Sequence, residues 1–404
     1  MTIDRDVTIG ERLAKLRLRR QLTQEQLAEH AGLSVDLVRK LEQGRRQTAR
    51  LSTLNALARA LDVETSVLVG QPTTFEPADG VDPPSLLALR QAVTPTSDFL
   101  GSDENVEDPP GIADLQASLR FTERIRREGK LSEIAALLPQ LITDARAATR
   151  AYHGENRAIA YAVLSEAYQV AATTLAAFGK EDAGFTALER SMAAAKQSND
   201  PRLEIVGVSC LSWIFTKQGR LVDAERVAVA MAEKIEPSFR SAPIDLSLWG
   251  ILLLRGASAA VRAERGDTAE ELLSLATAAA ARIGVDRLDY ATPFGPTNAG
   301  VAAVNAYVDM GKPDKALSQA RRLTHVDSLP PTWLARHYLD RALAHAEMDR
   351  DSEAARDLLA AERTAPEWMR YHSTSRHLVA ELRERERRRS SPIRDLAVRL
   401  EIEG

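Results

Sequence analysis

A turn centred on glycine recurs five times in the C-terminal two thirds of the chain, each time between helix-like segments: "FGKEDAGFTAL", "QGRLVDAERVA", "RGDTAEELLSL", "MGKPDKALSQA" and "MDRDSEAARDL". Each carries Gly, or Asp349 in the last, and five residues further on a position that is usually small: Gly184, Ala224, Glu271, Ala316 and Ala354. The turns follow one another at 40, 47, 45 and 38 residues. Glycine adopts the left-handed backbone that ends a helix, and a small residue early in the next helix lets the two helices pack closely. A helix pair of this size cannot bury its apolar face alone, so such units stack on their neighbours. Most of the chain is thereby confined to stacked helical hairpins, with Glu271 as the exception to the small-residue rule.

The N-terminus has a different pattern. "LTQEQLAEHAGLSVDLVRKLEQG" runs from Leu22 to Gly44. Thr23 is a helix N-cap with Gln26 three residues on, Gly32 turns the chain after Ala31, and Ser34 caps a further helix that ends at Gly44. With a first helix over about residues 9–20, a fourth over 52–61 and a short fifth near 64–69, the spacing predicts five helices. Leu27, Ala28, Leu33, Val38 and Leu41 fall on the inward faces.

"LTQEQLA", the "AGLS" turn and the "LEQGRR" ending, in this order and spacing, resemble the helix-turn-helix of the phage repressor/Cro-like family, also called the xenobiotic-response-element family. The resemblance covers roughly residues 9–70. It implies that the third helix enters the major groove of double-stranded DNA with Val35, Asp36 and Arg39 facing base edges. Thr23, Gln24, Lys40, Arg45 and Arg46 would contact phosphates, and Glu42 would tie the third helix to its surroundings. Arg17, Arg19 and Arg20 either touch phosphate or form a solvated face. The recurring turns resemble the tetratricopeptide repeat, with a period longer than usual, over roughly residues 113–363. The combination is similar to actinobacterial-type regulators that join the two. The implied fold is all-α: a five-helix helix-turn-helix domain over 1–70, a linker with a short helix over 71–111, and a tetratricopeptide-like α-solenoid with C-terminal capping helices over 112–404.

Charge follows this division. Residues 1–70 hold 12 Lys/Arg against 9 Asp/Glu, whereas the whole chain carries a net charge of −4. The basic part is the part with the DNA-binding motif. Residues 71–111 are rich in Pro, Asp, Gly, Ser and Thr around an amphipathic stretch, Ser85–Val93, and the acidic run 103–108 reads as a solvated loop. The single cysteine, Cys210, excludes an internal disulfide and reads as a small buried hydrophobe. "LWGILLL" is too short for a membrane span, and Arg255 ends it. With no signal-peptide pattern either, the expectation is a cytoplasmic protein.

A concave solenoid surface suits a ligand. Asn298 and Asn305 are seven apart on one helix, as are Tyr161 and Tyr168, so each pair shares a face. They are candidates for a groove that takes a signalling peptide or small molecule, although tyrosines and Trp213 or Trp249 at such spacing also fill repeat cores. His372 and His377 lack metal-ligand spacing, and no metal site or cofactor is expected. Phosphate-loop, dinucleotide, nucleophile-elbow and zinc-protease motifs are absent from the sequence. The expected function is a homodimeric, sequence-specific DNA-binding regulator with a sensing repeat domain. The alternative is a protein-interaction scaffold whose DNA binding is incidental or lost.

Overall fold

Six times between Gly129 and Asp349 a helix ends in a left-handed residue followed by Lys or Arg. The left-handed residues are Gly129, Gly179, Gly219, Glu264, Gly311 and Asp349. At each, the N–H of the following basic residue bonds back to the last turn of the helix, as Lys180 does to the Leu175 carbonyl at 2.9 Å and Arg265 to Ala260 at 2.8 Å. This is the Schellman arrangement, and the basic residue places positive charge at the negative end of the helix dipole. The geometry corrects one repeat. In "AERGD" the left-handed residue is Glu264 (φ 61°), not Gly266, which is already the first residue of the next helix. Five residues on from Glu264 stands Ala269, fully buried, so the rule that Glu271 broke is kept by Ala269.

The structure, a computed structural model, describes residues 8–46, 49–61, 63, 68, 84–100, 109–386 and 391–402. Four N-terminal helices, α1 (Ile9–Arg19), α2 (Gln24–Ala31), α3 (Val35–Glu42) and α4 (Leu51–Ala60), surround one core of Leu13, Leu27, Ala28, Val38, Leu41, Leu54 and Leu57. The fifth helix expected near 64–69 falls almost wholly outside the described residues. Next come α5 (Pro84–Val93) and the four-residue α6 (Ser97–Leu100). Leu86, Leu89 and Val93 of α5 are buried in the first repeat core, so this helix of the expected linker packs as part of the repeat region.

Six helix pairs follow among the described residues: α7 (Ile112–Arg127) with α8 (Leu131–Ala151), α9 (Gly154–Ala177) with α10 (Glu181–Ala195), α11 (Arg202–Lys217) with α12 (Leu221–Lys234), α13 (Pro243–Arg262) with α14 (Gly266–Ile283), α15 (Pro296–Asp309) with α16 (Pro313–Arg322), and α17 (Pro331–Glu347) with α18 (Asp351–Thr364). The first helix of each pair packs on the first helix of the next, as in a tetratricopeptide-like solenoid. The tail forms α19 (Pro366–Tyr371), α20 (Ser373–Arg385) and α21 (Pro392–Arg399). Ile393, Leu396 and Ala397 of α21 close the apolar end left by α17 and α18. By length and composition α13 could cross a membrane, but two thirds of it is buried inside the fold, and Arg255 lies in its middle and does not end it.

The alternation of helices hides one insertion. Between α14 and α15 the chain makes a two-stranded antiparallel hairpin, β1 (Arg287–Asp289) and β2 (Thr292–Phe294). Phe294 is fully buried beneath Gly250 of α13, where a Cβ would fall 1.9 Å from the ring. The hairpin tip, Tyr290 and Ala291, is left-handed at both residues (φ 47° and 54°). It reaches residues distant in sequence. Tyr290 Oη donates to Asp200 Oδ2 at 2.5 Å, and Arg126 of α7 donates to the Ala291 carbonyl at 2.9 Å. Ser132 and Glu367 also meet through two hydrogen bonds, of 2.9 and 2.6 Å. The first pair therefore touches both the hairpin and α19.

Candidate nucleic-acid interface

The local sequence builds the N-terminal module as expected. Thr23 caps α2, with Gln26 returning the bond to the Thr23 N–H, and Gly32 ends it in a left-handed conformation (φ 64°). Ser34 caps α3. Val38 and Leu41 turn inward, while Asp36, Arg39 and Lys40 stay exposed. Close crossing of α1 over α3 depends on Gly10. A Cβ there would lie 1.9 Å from the Leu41 carbonyl oxygen.

Glu42 fixes α3 in place. Its side chain, 6% exposed, accepts from Arg17 Nε at 2.7 Å and Nη2 at 2.9 Å, and from Gln24 Nε2 at 2.7 Å. One carboxylate thus joins the end of α3 to α1 and to the start of α2. The hydrogen bond to Glu42 holds the Arg17 guanidinium above its ordinary pKa. A carboxylate at a helix C-terminus opposes the helix dipole, and the forked arginine compensates. Arg17 is accordingly neither on a solvated face nor open to phosphate, the two roles the sequence suggested. Arg20 donates to the Leu61 carbonyl at 2.9 Å, and Arg19 remains exposed.

The exposed side of α3 carries weakly held charge. Lys40 Nζ lies 2.7 Å from Asp36, and Arg39 lies 3.7 Å from Glu25, with all four side chains about half exposed or more. Exposed pairs of this kind contribute roughly 0–1 kcal/mol, so they exchange readily for a polyanion. Arg45 and Arg46 are exposed just beyond the helix, and Thr23 is exposed at the start of α2. Val35 is half-buried against the core, which leaves only part of its side chain outward. Gln24 is half-buried and engaged with Glu42.

The model of a family described as a helix-turn-helix domain matches residues 8–68. The chain carries a helix-turn-helix domain over these residues. An immunity repressor protein of Bacillus phage phi105 is 43% identical over 70 residues, which is 17% of this chain and 48% of the relative. The chain thus spans about half the length of that curated relative. The crystal structure of Bacillus thuringiensis PlcR in complex with the peptide PapR7 and DNA aligns over 87% of this chain and 98% of that one, at 12% identity and a TM-score of 0.34. At that score no residue correspondence follows, and the helix-turn-helix assignment rests on the sequence matches and the geometry.

The helix-turn-helix also touches the repeat region, through residues around and within α4. His377 Nε2 of α20 bonds the Ala49 carbonyl at 2.9 Å. Arg50 donates to the Glu347 carbonyl at 3.1 Å and to Asp349 at 2.7 Å, and Arg59 pairs with Glu264 at 2.5 Å. Two of these partners, Glu264 and Asp349, are the left-handed residues of repeat turns. Sequence reading missed this joint, because nothing in a local pattern signals a contact across some 300 residues.

The two candidate ligand pairs lie apart. Asn298 is buried, and Asn305 Nδ2 donates to Asp340 at 3.1 Å, so the asparagines are packed into the fifth and sixth pairs. Tyr161 and Tyr168 sit in the second pair around an outer cavity. Glu166, on the same helix, lies roughly opposite them at 100° per residue and near Glu123 and Asp200. His377 is satisfied by Ala49, whereas His372 stacks on Trp368 at 4.3 Å with Nδ1 unbonded. Cys210 is half-buried and not sealed in the core, and burial pushes its thiol pKa up.

Proposed function

We propose that this chain is a cytoplasmic, sequence-specific DNA-binding transcription regulator, with its reader in residues 1–70, a connecting segment over 71–111, and a repeat region over 112–404 that dimerises and senses a peptide or small molecule. The observation that carries the reading is Glu42. A carboxylate that locks α3 to α1 and α2 leaves the other face of α3 rigid and exposed, with Asp36, Arg39 and Lys40 on it. Pre-organisation of this kind is what major-groove reading requires.

In this reading Arg39 forks onto guanine O6 and N7, Asp36 accepts from cytosine N4, and the outer part of Val35 meets a thymine methyl. Lys40, Arg45, Arg46 and Thr23 hold phosphates, and Gln24 does so through the amide proton that Glu42 does not take. A single module reads few base pairs. A homodimer spaces two α3 helices about 34–36 Å apart, one turn of DNA, and multiplies specificity. The test is a gel shift with duplexes selected from random sequence. Recovery of a two-fold symmetric site supports the reading, and failure to enrich any sequence counts against it.

A further inference from the structure

One cavity outside the reader combines shape with charge. It holds about 320 Å³ between α8, α9 and α10, and its walls include Arg146, Tyr161, Leu164, Tyr168, Arg190 and Gln197. The Tyr161 ring has the Arg157 guanidinium 5.6 Å from its centroid. Two arginines from two different helices converge on one carboxylate, Asp98. Arg190 Nη1 lies 2.5 Å from Asp98 Oδ2, and Arg146 forks onto the same group. Arg146 Nη1 also donates to Tyr168 Oη at 3.2 Å, which leaves the tyrosine proton for an acceptor in the cavity.

Asp98 does not belong to the walls. It comes from α6, in the segment between the helix-turn-helix and the first repeat, and no residue of α6 is buried. Phe99 and Leu100 beside it are 77% and 76% exposed. The carboxylate ties α6 to the repeats through Arg146 and Arg190. Burial works against both partners, yet the hydrogen bonds to the arginines hold Asp98 below the usual carboxylate range and those to Asp98 and Tyr168 hold Arg146 above its ordinary value.

We propose that this cavity is a binding site for a small anionic ligand, a carboxylate or phosphate ester with an aryl or short acyl body, and that Asp98 is the internal carboxylate it displaces. Two guanidinium forks against one carboxylate leave an excess of positive charge, and their planar geometry suits carboxylate and phosphate oxygens alike. The Tyr161 ring and Leu164 provide an apolar wall for the body of the ligand. The volume is at the small end of ligand pockets, which fits one or two rings or a short chain. Displaced, Asp98 moves into water and α6 loses its ion pairs with Arg146 and Arg190. That consequence rests on the reading of the repeat region as a sensor, whereas binding itself does not.

The test is ligand-observed NMR of the full-length protein with phenyl phosphate, benzoate and the neutral benzyl alcohol. The expectation is that Asp98→Asn binds one or both anions at least tenfold more tightly than wild type. Adding Arg190→Gln should remove that gain, and benzyl alcohol should bind all variants alike. The phenyl phosphate and benzoate arms decide which head group the site takes. An Asp98→Asn protein that melts like wild type but binds neither anion more tightly overturns the proposal and makes Arg–Asp–Arg a structural tie only. If Asp98→Asn does not fold, the melting temperature of wild type decides: it should rise with millimolar phenyl phosphate or benzoate but not benzyl alcohol, and no rise overturns the proposal. DNA binding without added anion is measured in parallel, so that failure of the cavity and failure of the regulator reading are told apart.

Discussion

The imidazole Nε2 of His377 lies 2.9 Å from the carbonyl oxygen of Ala49, joining the tail helix α20 to the residue pair that starts α4. Burial holds His377 below its ordinary pKa, outweighing the bond to Ala49 and the nearby charge of Glu384. The folded protein thus binds fewer protons here than the unfolded chain. The contact is at full strength above about pH 6.5 and weakens as pH falls below the unfolded value toward the depressed folded one. Hydrogen-exchange protection of α4 should be lower at pH 5.5 than at pH 7.5. In His377→Gln, which keeps a donor but not the titration, the two should agree. Equal protection in wild type would contradict the role of this joint.

The register of the fourth helix pair gives a second expectation. Gly266→Ala should be neutral within about 0.5 kcal/mol, because a Cβ there meets nothing within 4 Å. Ala269→Leu should destabilise by about 1–3 kcal/mol through overpacking, since Ala269 is fully buried. Glu264→Gly should be tolerated or mildly stabilising, by up to about 1 kcal/mol, because Glu264 holds a left-handed backbone (φ 61°), although it gives up the pair with Arg59. Urea denaturation of the three variants checks the order. A Gly266→Ala variant less stable than Ala269→Leu would restore the register first read from the sequence.

Crossing of α1 and α3 sets a third. Gly10→Ala pushes a methyl against the Leu41 carbonyl and should cost the reader about 1–3 kcal/mol or more. Near-complete loss of DNA binding should accompany it without change in the helicity of the repeats. A variant with wild-type DNA affinity would show that α3 does not need this crossing.

Glu166 supplies a prediction on pH dependence. Burial, with Glu123 and Asp200 nearby, raises its carboxyl to a pKa of about 7. A raised carboxyl favours the folded state at low pH, and that contribution is lost as pH rises from the unfolded value near 4.5 through about 7. Glu166→Gln removes the cost of ionisation. It should be more stable than wild type at pH 8, by on the order of 3 kcal/mol at most, with the gap closing by pH 5. Thermal melts at the two pH values check this, and a constant gap would place Glu166 in an ordinary solvated setting.

Much of the module was legible because its signals are local. Thr23, Gln26, Gly32 and Ser34 act within a few residues, and caps follow from side-chain chemistry alone. The repeat turns were legible for the same reason, but a glycine was given the left-handed position that Glu264 occupies, because propensity is weaker than the packing of Ala269. What stayed hidden depends on distance in sequence: Gly10 against Leu41, His377 against Ala49, and the hairpin whose Phe294 fills the space left by Gly250. Tyr161 and Tyr168 line one cavity with Arg146 and Arg190, partners that no local pattern signals.

Fluorescence anisotropy tests the central claim, using a labelled duplex selected from random sequence and its scrambled counterpart at fixed salt. The account predicts that wild type prefers the selected duplex by about 10³-fold or more. Arg39→Ala should lose about 1–3 kcal/mol on the selected duplex and little on the scrambled one, whereas Arg45→Ala should weaken both and lower the salt slope by about one unit. Equal affinity of wild type for the two duplexes, or an Arg39→Ala loss of the same size on both, would contradict the assignment of α3 as the sequence reader.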